Sequence, residues 1–312
     1  MSTLTVNLFY GLANRLMALV SAVRVAKLTG YRLQVIWHKD QSCKALLSDL
    51  FETDFDIIGY DEYWRMNQSN KVTILDSQDT RDYIPEYIDR NNLNFFRYDG
   101  ILVMPRSLFL KGNIILQAHH FFFVEDDIDK LSNDRRLMAA LLSGEFASFR
   151  PLPILRDLAD SYAQRLENGI GLHIRRPFPH AWTEDGIEIE RFLWSFPSVD
   201  IYMDLLPKLR ELTGFNGNLY LSTNCAATKS EVIARLGESN VLTHQTRTLD
   251  PSYSVVSVQD ALVDMMALSK TSLIMRFSES TFAYFSAMLG GCNQAIIYRD
   301  SPTLVKGPLE FC

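Results

Sequence analysis

Four cysteines are few for 312 residues, and none of Cys43, Cys225, Cys292 and Cys312 forms a Cys-x-x-Cys pair. That disfavours a disulfide framework and a structural zinc site and fits reduced thiols in a cytosolic protein. No apolar run is long enough to span a bilayer, for Leu16–Ala26 is short and interrupted by Arg24. The start, Met1-Ser-Thr-Leu-Thr-Val, lacks the basic region and long apolar core of a signal peptide, so a cytoplasmic location is expected. Positive charge is not in excess: Lys plus Arg number 31 against 37 Asp plus Glu, a net charge of −6. A general nucleic-acid binder usually needs a basic face, so nucleic acid is not an expected partner. Internal repeats and low-complexity stretches are also lacking.

What is present is ordinary for a folded chain, with 47% hydrophobic and 22% charged residues. The length suits two domains. Leu4–Tyr10 reads as a strand and Arg15–Leu28 as a helix with apolar Leu16, Leu19, Val20, Val23 and Ala26. Thr29-Gly30 ends that helix, and Arg32–Trp37 reads as a second strand. A β-α-β unit implies a parallel sheet. Further strands are expected at Phe55–Ile58, Val72–Leu75 and Asn113–Gln117, with helices around Cys43–Phe51 and Asp134–Leu142. Ser143–Ile154 lacks clear periodicity, which places a domain boundary near residue 150. The alternation then restarts. Helices are expected over Arg156–Glu167, Ile201–Leu212, Lys229–Leu236, Val258–Ser269 and Ser280–Leu289. Strands are expected over Gly169–Ile174, Gly217–Ser222, Ser272–Met275 and Ala295–Tyr298. Two runs of alternating strands and helices suggest two α/β domains of residues 1–150 and 151–312, with the ligand expected at the C-terminal ends of the strands.

Four stretches carry chemistry. Gly171-Leu-His173-Ile-Arg175-Arg176 ends an apolar strand in two arginines, whose forked guanidiniums match phosphate oxygens. Arg276-Phe277-Ser278-Glu279-Ser280-Thr281 opens a helix, where hydroxyls and free N–H groups face an anion. Tyr10-Gly11-Leu12-Ala13-Asn14-Arg15-Leu16 is a strand-to-helix turn in which Gly11 permits close backbone approach and Asn14 caps the helix or meets a hydroxyl-rich ligand. Gly11 has no partner glycine at dinucleotide spacing, and no Gly-Lys-Ser/Thr follows it, which disfavours a dinucleotide-dependent oxidoreductase and a P-loop. Leu219-Tyr-Leu-Ser222-Thr223-Asn224 is another strand ending in small polar groups.

In this order, G-x-x-N-R-L, H-I-R-R, Y-L-S-T-N and F-S-x-S-T resemble the GDP-fucose-dependent fucosyltransferases that share the H-x-R-R motif. That superfamily includes the α-1,6-, nodulation and protein O-fucosyltransferases, and the α-1,2 enzymes carry related motifs. The resemblance covers scattered motifs from residue 4 to about residue 290, of which H-I-R-R is the most specific. It implies a GT-B glycosyltransferase of two Rossmann-like domains facing a cleft, with the first on the acceptor side and the second binding the nucleotide sugar. It also implies inverting chemistry, a GDP-fucose donor, no required metal and a glycan acceptor, such as a lipid-linked surface-polysaccharide intermediate.

The resemblance carries roles to residues. Arg175 and Arg176 match the arginines that hold the donor diphosphate, and His173 the histidine beside the guanosine. Asp264 matches an acidic residue reading the guanine amino edge. Ser278, Ser280 and Thr281 match phosphate contacts, and Ser222, Thr223 and Asn224 a nucleotide-facing turn. Gly11 and Asn14 match a first-domain loop over the cleft. Asn224 stands where the family often has acidic residues, Ala13 where a second glycine is usual, and Pro177-Phe178 where Thr-Asp is frequent. Glu184 is the expected base, ahead of Asp185 and His180, one residue beyond the position in the α-1,6 branch.

Rival signals are weaker. Asp54-Phe-Asp56 and Asp127-Ile-Asp129 are D-x-D triplets of the kind found in metal-dependent glycosyltransferases, but paired or solvated charges are the expected reading. His119-His120, before Phe121-Phe122-Phe123, offers rings for the acceptor side, although a buried histidine beside core phenylalanine is preferred. Trp37, Trp64, Trp182 and Trp194 are expected to pack in cores or interfaces. The alternatives are transfer of another nucleotide-linked sugar and a catalytically silent nucleotide- or glycan-binding protein.

Overall fold

The structure is a computed structural model, which describes residues 1–68, 73–76, 96–98, 101–110, 112–127, 130, 135–176, 196–245, 247, 254–298 and 304–306. The chain separates into two compact units with a division between Leu152 and Pro153.

In the first unit, β1 (Thr3–Leu8), β2 (Arg32–Trp37), β3 (Asp56–Ile57), β4 (Thr73–Asp76) and β7 (Ile114–Ala118) form a parallel sheet in the order β3-β2-β1-β7-β4. Helix α1 (Leu12–Thr29) follows β1. Its expected apolar stripe is wider than the sequence period indicates, because Met17, Ala18, Ala22 and Val25 are buried too. The reason is packing on several sides, against β1, β2, a second strand group and α3 (Arg135–Ala147). Gly30 ends α1 at φ 73°, donating its N–H to the Ala26 carbonyl at 2.9 Å, the left-handed cap that glycine adopts at least cost. Helix α2 (Tyr60–Gln68) places Tyr63 against Ile36, Ile58 and Ile115 of the sheet. A separate three-stranded sheet joins β5 (Phe96–Tyr98), β6 (Ile101–Met104) and β8 (Phe122–Val124).

The helix expected over Cys43–Phe51 is absent. That stretch holds a short 3-10 turn at Leu47–Asp49. Its backbone donors are satisfied otherwise: Asp40 Oδ1 accepts from Ser42 and Cys43 N–H, and Asp49 Oδ2 accepts from Leu46 N–H. Local side-chain acceptors of this kind compete with helical bonds.

In the second unit the sheet order is β11-β10-β9-β12-β13-β14, with β9 (Ile170–Ile174), β10 (Leu219–Thr223), β11 (Val241–Leu242), β12 (Leu273–Phe277) and β13 (Asn293–Ile297) parallel. The edge strand β14 (Leu304–Lys306) runs antiparallel to β13. Around it lie α4 (Pro153–Ala163), α5 (Val199–Thr213), α6 (Ala226–Leu236), α7 (Val255–Leu268) and α8 (Thr281–Gly290). One face packs Ile170, Leu172 and Ile174 against residues of α5 and α6, while the other packs Tyr220 and Ile274 against residues of α7 and α8. Strands buried on both faces read as the continuous apolar runs seen in the sequence. A Cβ on Gly171 would stand 2.7 Å from Leu268 Cδ2, so glycine there permits the close approach of α7 to the sheet.

Both sheets are doubly wound, with the strand that comes first in the chain lying inside the sheet. The order reverses between β1 and β7 in the first unit and between β9 and β12 in the second. Ligands of such sheets bind at the carboxyl ends of the strands beside that reversal.

Candidate functional site

The polar strand ends of the second unit converge beside its reversal. The register places Ser222 opposite His173, and His173 opposite Arg276, so these three residues form a row across β10, β9 and β12. All three are buried. The His173 ring lies 5.1 Å from Phe282 and nearly parallel to it, and His173 Nδ1 is 3.0 Å from Ser280 Oγ. Tyr202 donates to the His173 carbonyl at 3.2 Å. Burial, then the nearby positive charges of Arg175 and Arg276, push the imidazole down to about 3, so it is neutral near pH 7. Ser280 Oγ also accepts from Ala283 N–H as the N-cap of α8.

Past β9, Arg175 is exposed and Arg176 is half-buried. Arg176 is held at both its backbone and its side chain. Asn224 Oδ1 accepts from Arg176 N–H at 2.7 Å, and Asn224 Nδ2 donates to the Arg176 carbonyl at 2.6 Å. The guanidinium donates from Nε to Thr228 Oγ1 at 3.3 Å and from Nη1 to the Pro197 carbonyl at 2.8 Å. Arg175 makes no ion pair with a described residue, so two cations stand at one strand end, one exposed and one anchored. Arg276, on the neighbouring strand β12, is buried. It donates to Gln294 Oε1 at 2.6 Å and to the Ser278 carbonyl at 2.6 Å, and its guanidinium lies 5.4 Å from the Tyr284 ring centre.

Asp264 of α7 accepts from Tyr220 Oη at 2.7 Å and from Ser222 Oγ at 3.0 Å. Burial outweighs these bonds and pushes the carboxyl up to about 6. Thr223 Oγ1 accepts from Cys225 N–H at 3.3 Å. Burial raises the Cys225 thiol, but donors from Thr228 and Ala227 and the Arg176 charge outweigh it and leave the thiol below its ordinary range.

The structure thus gathers His173, Arg175, Arg176, Ser222, Thr223, Asn224, Asp264, Ser278, Ser280 and Thr281 at one edge of the second unit. Gly11, the N-cap of α1, and Asn14, in its first turn, belong to the first unit. Glu184, Asp185 and His180 lie outside the described residues, as do Trp182, Trp194 and Asp129. Three side chains of the site drew no attention in the sequence: Thr228, which braces Arg176, and Tyr220 and Phe282, which brace Asp264 and His173. Tyr220 is part of the Y-L-S-T-N strand end, but a polar role could not be read from a tyrosine within an apolar run.

The D-x-D carboxylates have other partners. Asp54 pairs with Arg150 at 3.0 Å, Asp56 accepts from Gln34 and pairs with Arg32, and buried Asp127 takes a two-point bond from Arg24. Trp37 is buried and donates to the Ala45 carbonyl, in keeping with a core role.

The fold is that of solved fucosyltransferases, two α/β units of the GT-B class. Fucosyltransferase FUT1 of Arabidopsis thaliana, solved with GDP, superposes with a TM-score of 0.60 at 18% identity, over 96% of this chain and 71% of that one. Fucosyltransferase NodZ from Bradyrhizobium superposes with a TM-score of 0.57 at 15% identity, over 99% of each chain. A NodZ α-1,6-fucosyltransferase soaked with GDP-fucose gives 0.56 at 14% identity, over 98% of this chain. No protein-family model and no curated protein matches the sequence.

Proposed function

We propose that the chain transfers L-fucose from GDP-fucose to a hydroxyl of a glycan, with inversion and without a metal. The carrying observation is Arg176, anchored by Asn224 and Thr228 beside exposed Arg175 at the carboxyl end of β9. The likeness in fold to fucosyltransferases solved with GDP or GDP-fucose supports the same reading.

In this reaction the bond between the anomeric carbon and the β-phosphate oxygen breaks, and GDP leaves with the bonding electrons. The acceptor oxygen forms the new bond from the opposite side, which inverts the centre. Its proton passes to a carboxylate, for which Glu184 is the proposed base. Arg175, Arg176 and the first turn of α8, with Ser278 and Thr281, offset the charge developing on the diphosphate. Two guanidiniums and a helix N-terminus supply the stabilisation that a divalent cation would otherwise provide. Ser280, already engaged as a cap, orients neutral His173 beside the guanosine, with Thr223 close by. The ionised Asp264 carboxylate, steadied by Tyr220 and Ser222, accepts from the guanine amino edge.

Calorimetry with GDP, GDP-fucose, UDP and NAD⁺, with and without EDTA, tests this reading. Selective GDP binding that survives EDTA is expected. A preference for UDP, or loss of binding with EDTA, would count against it. Glu184→Gln is expected to keep GDP affinity and lose turnover, whereas an active variant would remove Glu184 from the role of base.

A further inference from the structure

Arg276 lies in the same register row as His173 and Ser222 but takes no step in the transfer described above. It stands two residues past Ile274 in β12, so its side chain leaves the sheet on the face that α7 and α8 cover. It is only 2% exposed. Its Nε donates to Gln294 Oε1 on β13 at 2.6 Å. Its Nη1 donates to two successive carbonyls, Phe277 at 3.1 Å and Ser278 at 2.6 Å. Its guanidinium lies 5.4 Å from the ring centre of Tyr284 in α8. One buried cation therefore ties β13, the turn after β12 and α8 together.

The two carbonyl bonds decide which way that turn faces. In a trans peptide the carbonyl of one residue and the N–H of the next point in opposite directions. Drawing the Ser278 carbonyl inward to Arg276 therefore turns the Glu279 N–H outward. Ser278 is half-buried and Glu279 is exposed, so outward is toward solvent. The flanking donors are used within the fold: Ser278 N–H bonds the Ile297 carbonyl at 3.0 Å, and Ser280 N–H the Phe277 carbonyl at 3.0 Å. The Glu279 N–H meets no acceptor among the described residues. The turn thus presents one aimed donor immediately before Ser280, the cap of α8.

Charge acts at the same place. After burial and Arg175, Arg276 is the third cause that holds the His173 imidazole down to about 3, so its field reaches the end of β9. A buried charge is screened far less than one on the surface. We propose that Arg276 is a positioning residue for the donor diphosphate: it holds the turn from Phe277 to Ser280 so that the Glu279 N–H points at a phosphate oxygen, and it sets a fixed positive charge on the inner side of that turn. This role rests on the reading that the ends of β9 and β12 take the diphosphate. The planar fork is essential to it, because Nε and Nη1 hold their partners at once, which a lysine ammonium on a flexible stem does not reproduce.

Calorimetry on the full chain with GDP and with guanosine tests this, because the turn acts on the phosphates alone. The wild type is expected to bind GDP more tightly than guanosine. Arg276→Met is expected to weaken GDP by ~10-fold or more while guanosine changes by less than about 2-fold. Arg276→Lys, which keeps the charge without the fork, is expected to fall between the two. Gln294→Leu takes away only the Nε acceptor and is expected to lower the ratio of GDP to guanosine affinity by about 3-fold. It reads the same ratio should Arg276→Met not fold. An unchanged ratio in folded Arg276→Met, or in Gln294→Leu, overturns the role. Equal loss of both ligands also overturns it, for that is the effect of a purely structural residue. A wild type that binds guanosine as tightly as GDP refutes the diphosphate reading itself, and this role with it, before any variant is made.

Discussion

His173 Nδ1 lies 3.0 Å from Ser280 Oγ, joining residues 107 apart in the chain across the reversal between β9 and β12. The contact links the strand that delivers two arginines to the helix start that follows β12. Buried hydrogen bonds of this kind orient groups that must meet a ligand without rearranging.

Ser280→Ala removes both the α8 cap and the partner of the imidazole. The expected cost is about 1–2 kcal/mol in chemical denaturation, in the range of a lost N-cap or a buried hydrogen bond. A smaller change in Ser280→Thr, which keeps a hydroxyl, would confirm the cause.

Asn224 holds the Arg176 backbone at both its N–H and its carbonyl. Asn224→Ala is expected to weaken GDP binding by ~10-fold, close to the effect of one lost hydrogen bond. Arg176→Ala is expected to lose most binding and turnover. Calorimetry checks both. Unchanged affinity in Asn224→Ala would show that Arg176 needs no such anchor.

Two shifted groups act oppositely on stability below neutral pH. His173 is depressed to about 3 from 6.5, so its contribution is lost as pH falls through that interval, where the unfolded state binds a proton that the native state does not. Asp264 is raised to about 6 from 3.8, so the native state holds the extra proton and stability rises as pH falls between those values. Denaturation of His173→Asn and Asp264→Asn from pH 4 to pH 7 is expected to show each variant without its own slope. GDP affinity is expected to rise with pH through about 6, as Asp264 ionises.

Arg15 is fully buried with three partners. Arg15→Met keeps the stem and deletes the fork, which takes the guanidinium donor from the Tyr10 and His38 carbonyls and the paired cation from Asp40. A loss of about 2–4 kcal/mol is expected in urea denaturation. A near-neutral change would show that water replaces the guanidinium.

Most elements were legible, because their signals are local. The alternation of apolar strands with helices, Thr29-Gly30 as a stop and Ser280 as a start depend on neighbours in sequence, and each element appears within a few residues of its expected bounds. The failure at Cys43–Phe51 has the same origin, since Asp40 and Asp49 offered the backbone nearer acceptors than a helix would. Helix α2 and the sheet of β5, β6 and β8 were not anticipated. These are short segments whose pattern makes sense only against the surfaces that they cover.

Within the site, the residue types at the strand ends could be read from the chain, while their duties could not. Asn224 also braces Arg176, 48 residues away, a duty that no local pattern announces. Asp264 holds two hydroxyls from β10, one of them 42 residues distant. Periodicity, caps and turn residues carry the order of elements because those energies are paid between near neighbours. Strand order, register and burial arise only when distant segments close on one another, and it is they that fix which polar groups find partners and which are left facing a ligand.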